Sequence, residues 1–194
     1  MQHKKNLFYI FAYVFLLTYS TMAQHLDVRA EVTPGETVIA CQTQSAGCTF
    51  FGSGAIQKAI NQAQASSGNV VEIREGSYTE NLTVAAPSLY VRGAGKGKTS
   101  INGSMNIAGD SNSVYQIEKL TLQNSTSNGL RIMGTGMVLI NKVEVLSHAG
   151  NGIDVGGSGA VVIKGSLVAG NTKGIRVASS NLVDVTNSVI ANNR

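Results

Sequence analysis

Residues 117–190 repeat with a period of 22 or 23 positions, and this repeat constrains the fold more than any other feature. Segments 128–132, 151–155 and 173–177 align without gaps through a shared glycine followed by alternating apolar residues. Two further apolar columns keep the same spacing: Ile117, Ile140, Ile163 and Val185 in one, and Leu122, Val145, Val168 and Ile190 in the other. Three strand positions per period predict one rung of a three-faced parallel β-helix.

Stacked rungs explain the residue types between the strands. A single rung cannot bury its own apolar residues, whereas stacking at about 4.8 Å lets each inward side chain lie on its equivalent in the next rung. Gly, Asn and Ser then occupy the turns. Asn171 and Asn193 align and are expected to hydrogen-bond from rung to rung, and His148 takes the same place one rung earlier. We therefore predict a structural role for His148.

The N-terminus is typical of a secretory signal. Lys4 and Lys5 precede an uncharged apolar run over residues 7–17, and Thr21-Met-Ala23 places small residues before a predicted cut at Gln24. The alternative is a retained membrane anchor, but 11 apolar residues are short against the roughly 20 that span a bilayer. We expect residues 1–23 to be cleaved and the mature chain to be secreted, periplasmic or on the cell surface.

Charge argues against nucleic acid as a partner. Of the 15 lysines and arginines, Lys4 and Lys5 leave with the signal, so 13 remain against 11 acidic residues. The remaining basic residues are scattered along the sequence, which is not the clustered pattern of a nucleic-acid-binding chain.

The two cysteines are expected to form a disulfide. Cys41 and Cys48 are separated by six residues in a segment, 24–52, that we expect to be irregular. In an oxidising compartment such a pair can close a small loop. Two free thiols are the alternative, and no metal site or cofactor is predicted.

A short helix is expected before the first rung. Ile56, Ala59, Ile60 and Ala63 recur at helical spacing, with Ser53 as the N-cap and Gly68 as the stop. Such a helix would cap the apolar end of the solenoid. Strands are predicted at 70–73, 82–84 and 89–91.

The opening of the repeat region resembles pectin-lyase-like β-helix proteins. The resemblance rests on Ala55-Ile-Gln-Lys-Ala-Ile60, on Val70-Val-Glu-Ile73 and on Val91-Arg-Gly-Ala-Gly-Lys-Gly-Lys-Thr99. The segments Gly76-Ser-Tyr-Thr-Glu80 and Gly95-Lys-Gly-Lys-Thr99 are most similar to pectin methylesterases, which makes a structural role the expectation for Glu80. The resemblance implies an all-β fold, a right-handed single-stranded parallel β-helix with a short N-terminal capping helix, over residues 53–194. It covers about 140 residues, and the catalytic segments of pectin methylesterases have no match here.

One short motif resembles the end of a nucleotide-binding loop. Gly97-Lys-Thr99 ends like a phosphate-binding loop, but Arg92 stands where that motif requires glycine. We interpret the segment as a turn between two strands, and we predict no nucleotide site.

The aligned repeats predict one polar constellation. Arg131, Asp154 and Arg176 hold the same outward position in successive rungs, which makes an Arg–Asp–Arg ladder. One hypothesis is a site for an acidic sugar, with Asp154 as catalytic base or as ligand and with an arginine, Arg131 or Arg176, binding a uronate carboxylate. The other is a surface ion-pair ladder that contributes about 0–1 kcal/mol per pair. No aromatic residue follows Tyr115, so sugar contacts on the later rungs must be polar.

Two functions remain open from the sequence. The first is a secreted β-helix protein that interacts with extracellular polysaccharide, either by binding alone or as part of a carbohydrate-active enzyme of the pectin or uronate lyase or esterase type. The second is a non-catalytic, adhesin-like scaffold. Because Arg194 follows a turn residue without a capping element, we expect a chain truncated at its C-terminus, or one that associates through its uncapped last rung.

Overall fold

The computed structural model describes residues 36–65, 69–85, 87–157, 159–178 and 182–194. Within them the chain forms a right-handed parallel β-helix with one helix, α1 (Ala55–Gln64), before the first rung. The strands are β1 (Thr37–Cys41), β2 (Phe50–Phe51), β3 (Asn69–Ile73), β4 (Gly76–Thr79), β5 (Leu82–Val84), β6 (Leu89–Gly93), β7 (Thr99–Asn102), β8 (Met105–Ile107), β9 (Val114–Glu118), β10 (Thr121–Gln123), β11 (Leu130–Ile132), β12 (Met137–Asn141), β13 (Glu144–Leu146), β14 (Asn151–Val155), β15 (Val161–Lys164), β16 (Leu167–Ala169), β17 (Lys173–Val177), β18 (Val183–Thr186) and β19 (Val189–Ala191). The predicted fold class is confirmed.

Three parallel sheets form the walls of the helix. Sheet A has the order β18-β15-β12-β9-β6-β3-β1-β2, sheet B the order β19-β16-β13-β10-β7-β4, and sheet C the order β17-β14-β11-β8-β5. Each rung from β3 to β17 contributes one strand to each sheet in turn. Neighbouring strands from β3 onward are therefore about one repeat apart in sequence.

The apolar columns of the repeat stack inside the helix as predicted. Ile117, Ile140 and Ile163 pair in register in sheet A and are buried. Val145 and Val168 do the same in sheet B. Burial of apolar side chains in these columns supplies the main favourable free energy of folding.

Segment 24–52 is not irregular throughout. Its residues Thr37–Cys41 form β1, which pairs with β3 and so covers the N-terminal edge of sheet A. β2 pairs with the other side of β1. The segment adds strands because the edge of β3 leaves backbone groups unpaired, and an unpaired edge accepts another strand. The strand β4 was also not predicted from the sequence, and its residues belong to the segment that resembles pectin methylesterases.

The capping helix is present, but its N-terminus differs from the prediction. The N-cap residue is Gly54, in the left-handed conformation and without a side-chain cap, so the assignment to Ser53 is wrong. The carboxylate of Glu80 instead accepts hydrogen bonds from the backbone N–H groups of Ile56 and Gln57, at 3.3 and 3.0 Å. Glu80 therefore has the structural role expected of it. The predicted stop at Gly68 lies outside the described residues.

The capping helix also covers the edge of sheet C. The side-chain amide of Gln57 donates to the carbonyl of Thr83 at 3.1 Å, and its oxygen accepts from the N–H of Thr83 at 2.8 Å. One glutamine thus supplies both hydrogen bonds that a neighbouring strand would give to β5. The apolar face of α1, formed by Ala55, Ile56, Ala59, Ile60 and Ala63, is buried.

Apolar side chains in the last described strands are more exposed than their equivalents. Val177, Val185 and Ile190 are 39–48% exposed, whereas their partners one rung earlier are fully buried. Association through this rung stays a prediction. The predicted signal, residues 1–23, lies outside the described residues.

Candidate functional site

The repeated strand of sheet C carries a row of polar side chains on its outer face. Asp154 of β14 lies in register with Arg131 of β11 and Arg176 of β17. The row continues to Asn106 of β8 and Thr83 of β5. The apolar neighbours of these residues in β5, β8, β11 and β14 are buried, so alternation directs the polar row outward. The predicted ladder is therefore present as a geometric arrangement.

Asp154 is the centre of the row and is held by three side chains. Its Oδ1 accepts a hydrogen bond from Nη1 of Arg176 at 2.9 Å. Its Oδ2 accepts one from Nδ2 of Asn128 at 3.0 Å and lies 3.8 Å from Nε of Arg131. The Asp154 side chain is only 8% exposed. The carboxylate is thus enclosed by donors, rather than open to solvent as the alternation of the strand had predicted.

The two arginines differ from Asp154 in their exposure. The side chain of Arg131 is 52% exposed and that of Arg176 is 47% exposed. Within the described residues, Asp154 is the carboxylate that both contact. Because a guanidinium carries five N–H donors and these contacts use few of them, both groups keep donors directed at solvent. Their planar arrangement suits bidentate binding of a carboxylate.

Two asparagines complete the surface, and the repeat alignment did not single them out. Asn128 donates to Asp154 and accepts, through Oδ1, the backbone N–H of Asn151 at 2.9 Å. Asn106 lies beside Arg131, and its Oδ1 is buried without a hydrogen-bond partner in the described part of the chain. Asn128 is the first residue of the aligned segment 128–132, but its contact to Asp154 spans 26 residues rather than one repeat, so the repeat gave no sign of this contact.

His148 lies at the corner between sheets B and C and is fully engaged there. Its Nδ1 accepts the backbone N–H of Ser125, and its Nε2 is 3.1 Å from the carbonyl of Leu122. Its own N–H is bound by Oδ1 of Asn171 at 3.0 Å. Burial lowers the pKa of His148, which keeps the ring neutral. These hydrogen bonds give His148 the structural role that was predicted for it.

A second polar cluster lies on the outer face of sheet A. The hydroxyl of Tyr90 donates to Glu118, which also binds Nζ of Lys119 at 3.3 Å and Nδ2 of Asn141 at 3.4 Å. Burial and the neighbouring Glu118 carboxylate raise the pKa of Tyr90 to about 12. Sequence reasoning missed this cluster because its residues come from three different rungs and share no motif.

Three other features bear on the sequence predictions. Cys41 and Cys48 form a disulfide, with their Cα atoms 5.9 Å apart, as predicted. Gly97-Lys-Thr99 lies in the turn between β6 and β7 and at the start of β7, and Oγ1 of Thr99 accepts the N–H of Ala94 at 2.9 Å. Across the described ranges there is no helix long and apolar enough for a membrane span, and no grouping of three or more metal-ligating side chains.

Comparisons with known proteins agree with this architecture. Residues 105–194 match the family model described as a right handed beta helix region. A segment of 54 residues is 39% identical to "Probable pectinesterase/pectinesterase inhibitor 17" of Arabidopsis thaliana. That segment covers 28% of this chain and 11% of the plant protein. No solved structure gives a significant match. The resemblance to pectin-lyase-like β-helix proteins is thereby confirmed.

Proposed function

We propose that the protein is an extracellular β-helix protein that binds an acidic polysaccharide along the outer face of sheet C. The observation that carries this proposal is the pairing of a nearly buried Asp154 with two half-exposed arginines. The pectinesterase named among the similar proteins and the disulfide support an extracellular setting and a uronate polymer as the ligand. The corresponding partner is a polymer that carries carboxylates along its length.

The proposed binding mode follows from the hydrogen-bond donors that Arg131 and Arg176 do not use within the protein. Asp154 already accepts from Arg176 and Asn128 and lies near Arg131, so it holds the two guanidinium groups in place. Each arginine can then bind a uronate carboxylate with its remaining N–H groups. The arginines stand two rungs apart, about 9.6 Å along the solenoid axis, which favours a chain lying across several rungs.

Binding on sheet C is tested with sodium polygalacturonate and isothermal titration calorimetry. The double variant Arg131→Gln/Arg176→Gln should lose at least tenfold in affinity, because both carboxylate-binding groups are removed. The matched control is Lys58→Gln, which removes an exposed cation of α1. Unchanged affinity in the arginine variant would refute binding on this face.

The enzymatic form of the proposal assigns Asp154 as the base of a uronate lyase or esterase. It predicts release of unsaturated oligouronides, or of methanol from methyl-esterified pectin, that Asp154→Asn abolishes. Product release that is unaffected by Asp154→Asn would remove Asp154 from catalysis. Absence of release together with tight binding would favour the scaffold, for which the polysaccharide is an attachment partner.

A further inference from the structure

The fold gathers basic residues that the sequence spreads over ninety positions. Where sheet A passes into sheet B, successive rungs place lysines and arginines along one edge of the solenoid. Arg74 follows β3, and a loop with two lysines joins β6 to β7. Lys119 and Lys142 each stand between a sheet A strand and a sheet B strand. We call this set the basic corner, and its members are Arg74, Arg92, Lys96, Lys98, Lys119, Lys142 and Lys164.

Two of these lysines occupy backbone positions that disfavour them. Lys119 has φ 55° and Lys142 has φ 54°, in the left-handed region. The equivalent corner positions in the next two rungs are Gly165 and Asn187, the residue types that this conformation tolerates. The Lys119 N–H bonds the carbonyl of Asn141, and the Lys142 N–H bonds that of Lys164, so the corner residues stack rung upon rung. Lysine at such positions carries backbone strain, and strain of this kind is a reason to look for a function.

The basic corner keeps an excess of positive charge. Glu72 pairs with Arg74 and Arg92 at 3.1 and 3.2 Å, and Glu118 pairs with Lys119. Glu75 and Glu144 are the other carboxylates in these turns and strand ends, which makes seven cations against four anions. Arg74, Arg92 and Lys119 remain 42–54% exposed despite their ion pairs. These three and Glu72 line a cavity of about 300 Å³ beside the Gly93-Ala94 backbone.

We propose that the basic corner is a second binding surface for an acidic polysaccharide, which runs along the solenoid axis from Arg74 toward Lys164. From the first rung to the fifth the corner spans about 19 Å, at about 4.8 Å per rung. The identity of the ligand class rests on the proposed function, but the surface is separate from the row on sheet C. An extended chain with regularly spaced carboxylates matches a linear series of cations that is one rung apart.

The interleaved carboxylates favour a polyuronate over a nucleic acid. Glu72, Glu118 and Glu144 would repel the phosphates of a nucleic-acid duplex, which carries one charge per about 1.7 Å of its axis, whereas a uronate chain carries at most one charge per sugar. Tyr90 lies beside the corner, and its hydroxyl donates a hydrogen bond to Glu118. Single-stranded nucleic acids are usually held by several stacking rings, which this surface lacks among its described residues.

Lysine acetylation footprinting locates the ligand on the intact protein. In the presence of sodium polygalacturonate, we expect at least threefold slower acetylation of Lys119, Lys142 and Lys164, read by mass spectrometry. Lys173, at the start of β17 beside Arg176, reports on sheet C, and Lys58 on α1 is the negative control. Fully methyl-esterified pectin should protect none of them. Protection of Lys173 alone would support binding on sheet C and refute binding at the basic corner. Protection of the corner lysines alone would support binding at the corner and refute binding on sheet C.

A double variant tests the affinity without harming the fold. Lys119→Asn/Lys142→Asn installs the residue that Asn187 already supplies at the same corner, so the free energy of unfolding should stay equal or rise. At low salt, the polygalacturonate concentration that half-protects Lys164 should rise at least tenfold, while protection of Lys173 should stay unchanged. Adding Arg131→Gln/Arg176→Gln should then remove the protection of Lys173 as well. Unchanged affinity, or tighter binding of a single-stranded oligonucleotide than of polygalacturonate, would overturn the proposal.

Discussion

Nδ1 of His148 accepts a hydrogen bond from the backbone N–H of Ser125, one rung earlier, at 3.1 Å. Asn171 makes the same pair of contacts one rung later, through Oδ1 to the N–H of His148 and through Nδ2 to the carbonyl of Val145. Asn193 repeats them again with Asn171 and Val168. A neutral imidazole therefore replaces an amide in a ladder of turn residues, which makes this step of the ladder sensitive to protonation.

Acid should destabilise the protein through His148. Burial sets its folded-state pKa below the usual 6.5, so the unfolded chain takes up a proton first as the pH falls. The contribution of His148 to stability is complete above about pH 6.5 and is lost as the pH drops toward the folded-state pKa. Urea unfolding of the protein and of His148→Asn at pH 7.5 and 5.0 measures this. The loss on acidification should be smaller in His148→Asn.

The same position provides its own control. His148→Asn keeps both ladder contacts and should change the free energy of unfolding at pH 7.5 by no more than about 1 kcal/mol. His148→Ala removes two hydrogen bonds and leaves a cavity, which should cost about 2–4 kcal/mol. Equal losses for the two variants would contradict the ladder role.

Removing the Asp154 side chain should destabilise sheet C. Asp154→Ala leaves Arg131 and Arg176 without their shared carboxylate and Nδ2 of Asn128 without its acceptor. We expect a loss of about 1–3 kcal/mol in urea unfolding. Asp154→Asn retains an acceptor oxygen and should lose less. Asp184→Ala, which truncates a partly exposed carboxylate of β18, serves as the control.

The Glu80 carboxylate should hold the start of α1. Glu80→Ala removes the acceptor for the N–H groups of Ile56 and Gln57, and the loss of a helix cap costs about 0.5–2 kcal/mol. Hydrogen exchange at these two amides should accelerate more than exchange at the strands of the later rungs. Glu75→Ala, in the preceding turn, should leave both amides protected; equal acceleration in the two variants would argue against capping by Glu80.

Glycine at position 152 makes room for the ladder. A Cβ there would lie 2.6 Å from Cγ1 of Val168 and 2.7 Å from Nδ2 of Asn171. Gly152→Ala should therefore destabilise the protein by about 1–3 kcal/mol in thermal or urea unfolding. Gly156→Ala is the matched control, because its Cβ would meet the flexible end of the Met133 side chain. A smaller loss of stability in Gly152→Ala than in Gly156→Ala would contradict close packing of Gly152 against Val168 and Asn171.

The repeat predicted much of the fold because register in a solenoid follows directly from sequence spacing. Residues 23 positions apart must lie on neighbouring rungs, so the alignment of Arg131 with Asp154 and Arg176 could be read from the repeat. The capping of α1 by Glu80 could not be read from the repeat, because Glu80 and Ile56 are 24 residues apart in two segments that both lie outside the aligned region. The pairing of β1 with β3 lies outside the repeat as well.

The sequence by itself determined the rung length, the inward columns, the position of the charged row and the cysteine pair, because a period and an alternation are local properties. Only the tertiary structure decided how buried each charge is and which charges become neighbours. Asp154 is enclosed because Asn128 reaches it across a corner, and scattered lysines become one basic edge because every rung turns at the same place. Such relations depend on side-chain reach between rungs, which the spacing of residues along the chain does not encode.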